Sequence, residues 1–189
     1  PAKTLPEFVA WMKANPDKAK VATSGRGSAQ EMAAEMFRMA SGVEMLLVPY
    51  KGSSAAHPDL LSGRTALYID TVSAILSQVK AGNARAVAVS THTRTKALPD
   101  VPTADEQGLK GYDANTNGGF LAPAGTPKTI IARLNAEINA ALKLPDVQAK
   151  LEAAGIEIQG GTPQDYAALI KSDLAKWGKV VKEAGIPLE

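Results

Sequence analysis

The segment Val21-Ala22-Thr23-Ser24-Gly25-Arg26-Gly27-Ser28-Ala29-Gln30-Glu31-Met32 runs from an apolar stretch through two glycines straight into a helical pattern. That order predicts strand, tight turn and helix, a unit that packs only when a sheet lies beneath it. Glycines let the backbone approach a ligand closely, and the unpaired N–H groups of a helix start, with the helix dipole behind them, favour a carboxylate or phosphate. Ser24 and Ser28 add hydroxyls. Ser28 is also a natural N-cap, with Glu31 placed to close a capping box. The segment therefore supports two readings of equal standing, an anion seat or a turn that simply starts a helix.

The same rhythm recurs along the chain. Thr4-Leu5-Pro6-Glu7 opens a first helix that Asn15-Pro16 ends. Strands are expected at Lys20 to Thr23, Met45 to Pro49, Ala66 to Asp70 and Ala84 to Ser90, with helices at Ser28 to Ala40, Ser54 to Leu61 and Val72 to Lys80 between them. This βαβα alternation implies a mostly parallel sheet with right-handed crossovers, and ligands of such sheets sit beyond the carboxyl ends of the strands. Three loops share that position: Ser24 to Ser28, Tyr50 to Ser54, and Asp70 to Ser73.

After Ser90 the pattern changes. Leu98 to Thr103 is turn-rich, and a short helix is expected at Ala104 to Gln107. Tyr112 to Leu121 is extended but too polar and glycine-rich for a buried strand, and reads as a crossing segment or hinge. Thr126-Pro127 is expected to cap a helix with Ile130, Ile131, Leu134, Ile138 and Leu142 on one face. A helix at Pro145 to Ala154, a short strand at Ile156 to Ile158 and a long helix capped by Thr162 follow. These later helices outnumber the strands available to cover them. Their apolar faces call for a partner segment, missing from the chain or supplied by another molecule.

Composition narrows the function. Lys and Arg number 21 against 19 Asp and Glu, a net charge of +2 without a basic stripe, so nucleic acid is not an expected partner. No cysteine is present, which removes disulfides, thiolate metal sites and thiol nucleophiles. No spacing of His, Asp or Glu suits a metal, and no cofactor is expected. No apolar run of about 18 residues exists to span a membrane. The absence of a leader before Pro1 fits a mature or trimmed secreted protein.

Gly25-x-Gly27 lacks the third glycine of a dinucleotide fingerprint, which is Gln30, and Glu44 precedes its strand rather than ending it. A Ser24, His57 and Asp70 arrangement has no Gly-x-Ser-x-Gly elbow to support it. His57 is expected on a helix surface and His92 in a solvated loop. Asp70 either accepts hydrogen bonds from a ligand or caps the helix that follows. Lys51 could neutralise an acid or be merely solvated.

Seven stretches together resemble the extracytoplasmic receptors of tripartite tricarboxylate transporters, the Bug or TctC-like family. They are Ser24-Gly25-Arg26-Gly27-Ser28, Val48-Pro49-Tyr50-Lys51-Gly52-Ser53, Asp59-Leu60-Leu61-Ser62-Gly63, the run Lys80 to Val89, Leu98-Pro99-Asp100-Val101-Pro102-Thr103, the run Leu121 to Pro127, and Gly160-Gly161-Thr162-Pro163. The resemblance implies a periplasmic-binding-protein type II-like α/β fold: one complete α/β domain, residues 1–113, and the carboxyl-terminal portion of the other, residues 114–189, whose amino-terminal portion is absent. It also implies a periplasmic, non-enzymatic receptor that takes a small organic carboxylate (a di- or tricarboxylate, an amino acid or an aromatic acid) to membrane transporter subunits. Carried onto this chain, the ligand-binding positions are Thr23, Ser24, Gly25, Gly27, Ser28, Lys51, Gly52, Ser53, Asp70, Val72 and Ser73. Three departures from the family pattern stand out: Arg26 for a neutral residue, Glu31 for a histidine, and His57-Pro58 for an apolar-threonine pair that bears on packing. The alternatives are a hydrolase-like α/β enzyme using Ser24 or Ser28 near His57, and a ligand-sensing partner of a membrane kinase. With one wall of the cleft missing, the chain alone is expected to bind carboxylates poorly, because a dipole contact contributes only about 1 kcal/mol.

Overall fold

The computed structural model describes residues 2–186. Its centre is a parallel sheet of three short strands in the order β2-β1-β3: β1 (Lys20–Thr23), β2 (Leu46–Pro49) and β3 (Leu67–Tyr68). β1 pairs with β2 along its whole length, Lys20 opposite Leu46 and Thr23 opposite Pro49, and with β3 at Val21 and Ala22. Val21, Ala22 and Thr23 are fully buried, as a central strand covered on both faces requires.

Seven α-helices surround or extend from this sheet among the described residues. α1 (Leu5–Ala14) begins at Thr4, whose side chain accepts from the Glu7 N–H at 3.3 Å, and buries Leu5, Phe8 and Met12. α2 (Ala29–Ser41) ends at Gly42, whose left-handed backbone closes the helix. α3 (Ser53–Leu61) and α4 (Val72–Lys80) follow β2 and β3. The core joins α1, the sheet and α2 with Val43, Ala104, Tyr112 and Ala114, so the loops after Ser90 return to close it.

The expected strand at Ala84 to Ser90 does not form a ladder. A single parallel bridge joins Val89 to Thr103. Val89 donates to the Pro102 carbonyl and accepts from the Ala104 N–H, while the Val87 carbonyl accepts from the Gln107 side chain, so the turn at 102–107 takes the groups a strand would use. The expected helix at Ala104 to Gln107 is a turn instead. Thr103 and Glu106 make the reciprocal bonds of a capping box, but Gly108, at φ +92°, ends the structure after one turn.

In the carboxyl-terminal part, α5 (Lys128–Ala141) and α6 (Pro145–Ala153) contain no buried residue. Pro127, not Thr126, is the N-cap of α5, because the Thr126 hydroxyl donates to the Pro123 carbonyl at 2.8 Å and is unavailable to the helix. Ile156 to Ile158 is not a strand, since no ladder reaches it among the described residues. α7 (Pro163–Ala184) has the full Thr162 and Asp165 capping box and packs on α2. Leu174 in this helix faces solvent at 71% exposure. The segment between these parts has no regular secondary structure, and Gly119 lies so close to α7 that a Cβ there would fall 2.4 Å from the Tyr166 ring.

Tyr112 fastens this return. Its buried hydroxyl donates to the Ala33 carbonyl in α2 at 3.1 Å, and burial pushes the phenol far above its ordinary value of 10.0. Below that value the phenol is protonated in folded and unfolded chains alike. Above it the unfolded chain ionises first, so stability is lost as pH rises. Urea midpoints are therefore expected to fall between about pH 9.5 and 11, and to fall less in Tyr112→Phe, which itself costs about 1 kcal/mol at neutral pH. An equal alkaline decline in both proteins would show that Tyr112 is not its source.

Candidate functional site

All three strands point the same way, so the loops that leave them meet at one edge. The first two are joined backbone to backbone: the Gly52 N–H donates to the Ser24 carbonyl at 3.0 Å, next to the last ladder bond from the Tyr50 N–H to the Thr23 carbonyl. Gly25 sits at φ +134°, and a Cβ there would lie 3.3 Å from the Tyr50 carbonyl. Both facts explain a glycine at that position. The second and third loops are joined by side chains. The Ser53 hydroxyl donates to Asp70 Oδ1 at 3.0 Å, and the Tyr68 hydroxyl lies 2.7 Å from the Ser53 oxygen.

The helix-start reading of the glycine-serine turn holds in part. Ser28 is the N-cap of α2 and accepts from the Glu31 N–H at 3.1 Å. Glu31 does not close the box on Ser28, because the Ser28 N–H bonds to the Gly25 carbonyl; the Glu31 carboxylate accepts from the Gly27 N–H instead. The Ser24 hydroxyl donates to the Gln30 side chain at 2.7 Å. The first two N–H groups of each of the three helices make no hydrogen bond among the described residues: Ala29 and Gln30, Ser53 and Ser54, Val72 and Ser73. Six open donors thus lie at the carboxyl edge of the sheet, each pair at the positive end of a helix dipole.

Asp70 is more engaged than a loop acid at a strand end need be. Its side chain is 2% exposed and accepts from Ser53, from the Thr71 N–H at 2.9 Å and, at Oδ2, from His57 Nε2 at 2.8 Å. It is not the cap of α4, whose N-cap is Thr71 with no side-chain bond. His57 is likewise no plain surface residue, being half-buried against Asp70 and edge-on to Tyr68. Burial is the main cause that pushes the Tyr68 phenol up, with the Ser53 and Ser24 hydroxyls opposing it. The pairing of His57 with Asp70 does not extend to a nucleophile: Ser24 is turned to Gln30, and Ser53 binds the acid rather than the imidazole.

His57, Tyr68 and Gln30 were not among the expected site residues. Spacing held the signal for two of them, since His57 lies one helical turn after Ser53 and Tyr68 precedes Asp70 by the two-residue strand period. Lys51 is exposed, and His92 is solvated as expected, 3.5 Å from Asp113. Thr23 is fully buried with its hydroxyl unpartnered.

Comparison with known proteins gives this edge its setting. Residues 1–186 match the Tripartite tricarboxylate transporter family receptor, TctC. The chain belongs to that family. It is 40% identical over 182 residues to the UPF0065 protein in the tcbD-tcbE intergenic region of Pseudomonas sp. (strain P51), covering 96% of this chain and 54% of the relative. It is 33% identical over 186 residues to Protein BugT of Bordetella pertussis, covering 98% and 57%. The chain thus spans about half the length of these curated relatives. Among solved structures it is similar to R. palustris Rpa4515 with adipate, with a TM-score of 0.88, 36% identity, and coverage of 98% of this chain and 62% of that one. The periplasmic binding protein BugD superposes with a TM-score of 0.85 at 32% identity, covering 100% and 64%. MatC (Rpa3494) from Rhodopseudomonas palustris with bound malate gives 0.79 at 30%, covering 96% and 63%. The receptor family and the mixed α/β fold expected from the sequence are both borne out.

Thr23 offers a direct check on the strand end. Replacing an orphaned buried hydroxyl by a methyl removes an unmet hydrogen-bonding group, so Thr23→Val is expected to leave stability unchanged or raise it by up to about 1 kcal/mol. Thermal unfolding without ligand measures this, and a loss of stability would mean that the hydroxyl has a partner.

Proposed function

We propose that this chain is the ligand-holding part of a periplasmic solute receptor. It takes up a small organic carboxylate, passes it to the membrane subunits of a tripartite transporter, and catalyses no reaction. The observation that carries this reading is the set of six open N–H donors at three helix starts on one edge of a parallel sheet, an arrangement that matches an anion without any metal or nucleophile. The adipate and malate in the two structural neighbours support a dicarboxylate over an amino acid or an aromatic acid.

The proposed ligand wall consists of Thr23, Ser24, Gly25, Gly27 and Ser28 in the first loop, Lys51, Gly52 and Ser53 in the second, and Val72 and Ser73 in the third, with Asp70, whose side chain is closed off from solvent, behind them. Residues 1–113 form one lobe and residues 114–189 belong to the opposite lobe. Two observations support that division: the uncovered α5 and α6, and the coverage of little more than three-fifths of each structural neighbour. A single wall of dipole contacts binds an anion weakly, so affinity requires the second lobe to close over it.

Isothermal titration with adipate, malate, citrate, glutamate and benzoate tests the proposal. It should be run on the 189-residue chain and on the same residues joined to the amino-terminal part of a longer relative. The joined protein is expected to bind adipate or malate at least about a hundredfold more tightly than the chain alone. Tight binding by the chain alone would overturn the two-lobe reading, and no binding of any of the five acids by the joined protein would overturn the receptor reading.

A further inference from the structure

Asp70 is an acid on the ligand-facing edge, yet its side chain is closed off from solvent and three donors converge on it, two from α3 and one from its own loop: Ser53 at the start of α3, His57 one turn further along it, and the Thr71 N–H. An ionised carboxylate only accepts, which fixes every proton in the cluster. Ser53 has one proton and commits it to Asp70, so the Tyr68 hydroxyl, 2.7 Å away, must donate to Ser53. His57 must hold a proton on Nε2. The direction of donation therefore runs from Tyr68 through Ser53 to Asp70, with His57 donating from the other side. Two consequences follow: Ser53 has no proton left for a ligand carboxylate, and Asp70 is covered where a ligand ammonium would have to reach it.

We infer that Asp70, held by His57, is a positioning residue: it locks the second loop to the third so that their backbone N–H groups face the ligand, and it makes no ligand contact itself. The inference deepens the receptor reading and rests on it for the word ligand, although the lock stands on geometry alone. The pair of loops most in need of a lock is this one. The first and second loops share a backbone bond, whereas the bonds between the second and third are all made by side chains of this cluster.

His57→Phe removes the Nε2 donor and keeps an aromatic ring beside Tyr68; His57→Gln keeps a donor at nearly the same reach. Two readouts are followed in the joined protein, one independent of any ligand. By hydrogen exchange, the two bonded amides of these loops, Gly52 on the Ser24 carbonyl and Thr71 on the Asp70 carboxylate, are expected to exchange about tenfold faster in His57→Phe and to recover in His57→Gln, the loss expected for a hydrogen bond to a charged group. The Leu46 and Ala66 amides, bonded to the Ala19 and Lys20 carbonyls at the far end of the sheet, are expected to stay unchanged. Adipate affinity is expected to fall about tenfold in His57→Phe and to recover with the glutamine.

Unchanged exchange at both loops in His57→Phe would overturn the lock, whatever the protein binds. Acceleration at Leu46 and Ala66 equal to that at the loops would also overturn it, since that is general destabilisation. Faster loop exchange with glutamine rescue, in a protein that binds neither adipate nor malate, would uphold the lock while removing the support for a dicarboxylate receptor. Should His57→Phe not fold, Ser53→Ala cuts the same connection from the other side and is read by the same criteria.

Discussion

Parallel pairing on both sides of β1 is the constraint on which the rest of this structure depends. Four residues, Lys20 to Thr23, supply both ladders, and three of the four are fully buried. Parallel strands cannot be joined by a hairpin, so each must be followed by a helix that returns over the sheet. Once β1 is central, the carboxyl ends of β1, β2 and β3 and the amino ends of α2, α3 and α4 are brought to one edge by connectivity alone. The concentration of open backbone donors at that edge is a property of topology before it is a property of any side chain. This explains how loops as different as Ser24-Gly25-Arg26-Gly27 and Asp70-Thr71 present the same pair of open backbone donors.

That topology was legible because it rests on short-range signals. β1 and α4 lie where apolar runs and turn residues place them, and the Ser28 and Thr162 caps behave as their spacing implies. Several of the departures come from competition for hydrogen bonds, some from distant residues and some from near ones. Ala84 to Ser90 has the composition of a strand, but its carbonyls and amides are taken by Gln107 and the 102–104 turn. Thr126 has the right type and place for a cap, but its proton goes backward to Pro123. β3 is only two residues long because Asp70, read as its last residue, is drawn into a side-chain cluster.

The three loops of the site could be read as a group, and the connections among them could not. Position along the strand tells where a loop begins, but says nothing about which side chain satisfies which. Asp70 illustrates the gap: a ligand acceptor and a helix cap were the two local options, and the structure adopts neither as its hydrogen bonding, giving the carboxylate to His57, Ser53 and its own backbone. The clue lay in two periods at once, Ser53 to His57 on a helix and Tyr68 to Asp70 on a strand, which acquire meaning only when the two elements are known to be adjacent.

The two halves of the chain differ in what holds them. The sheet half has a buried core and a polar cluster, whereas α5 and α6 bury nothing, have no side-chain cap, and depend on their propensities and a few contacts such as Gly155 against Val72 and Leu76. Between them runs a segment pinned to α7 by polar contacts: Asp113 lies 3.5 Å from Lys176, and Asn117 donates to Asp173 at 3.1 Å. The charged partners Asp113, Lys176 and Asp173 are half-buried. The segment and α7 are thus held to the sheet half by packing as well as by polar contacts, since α7 lies on α2 and Trp177 packs against the core.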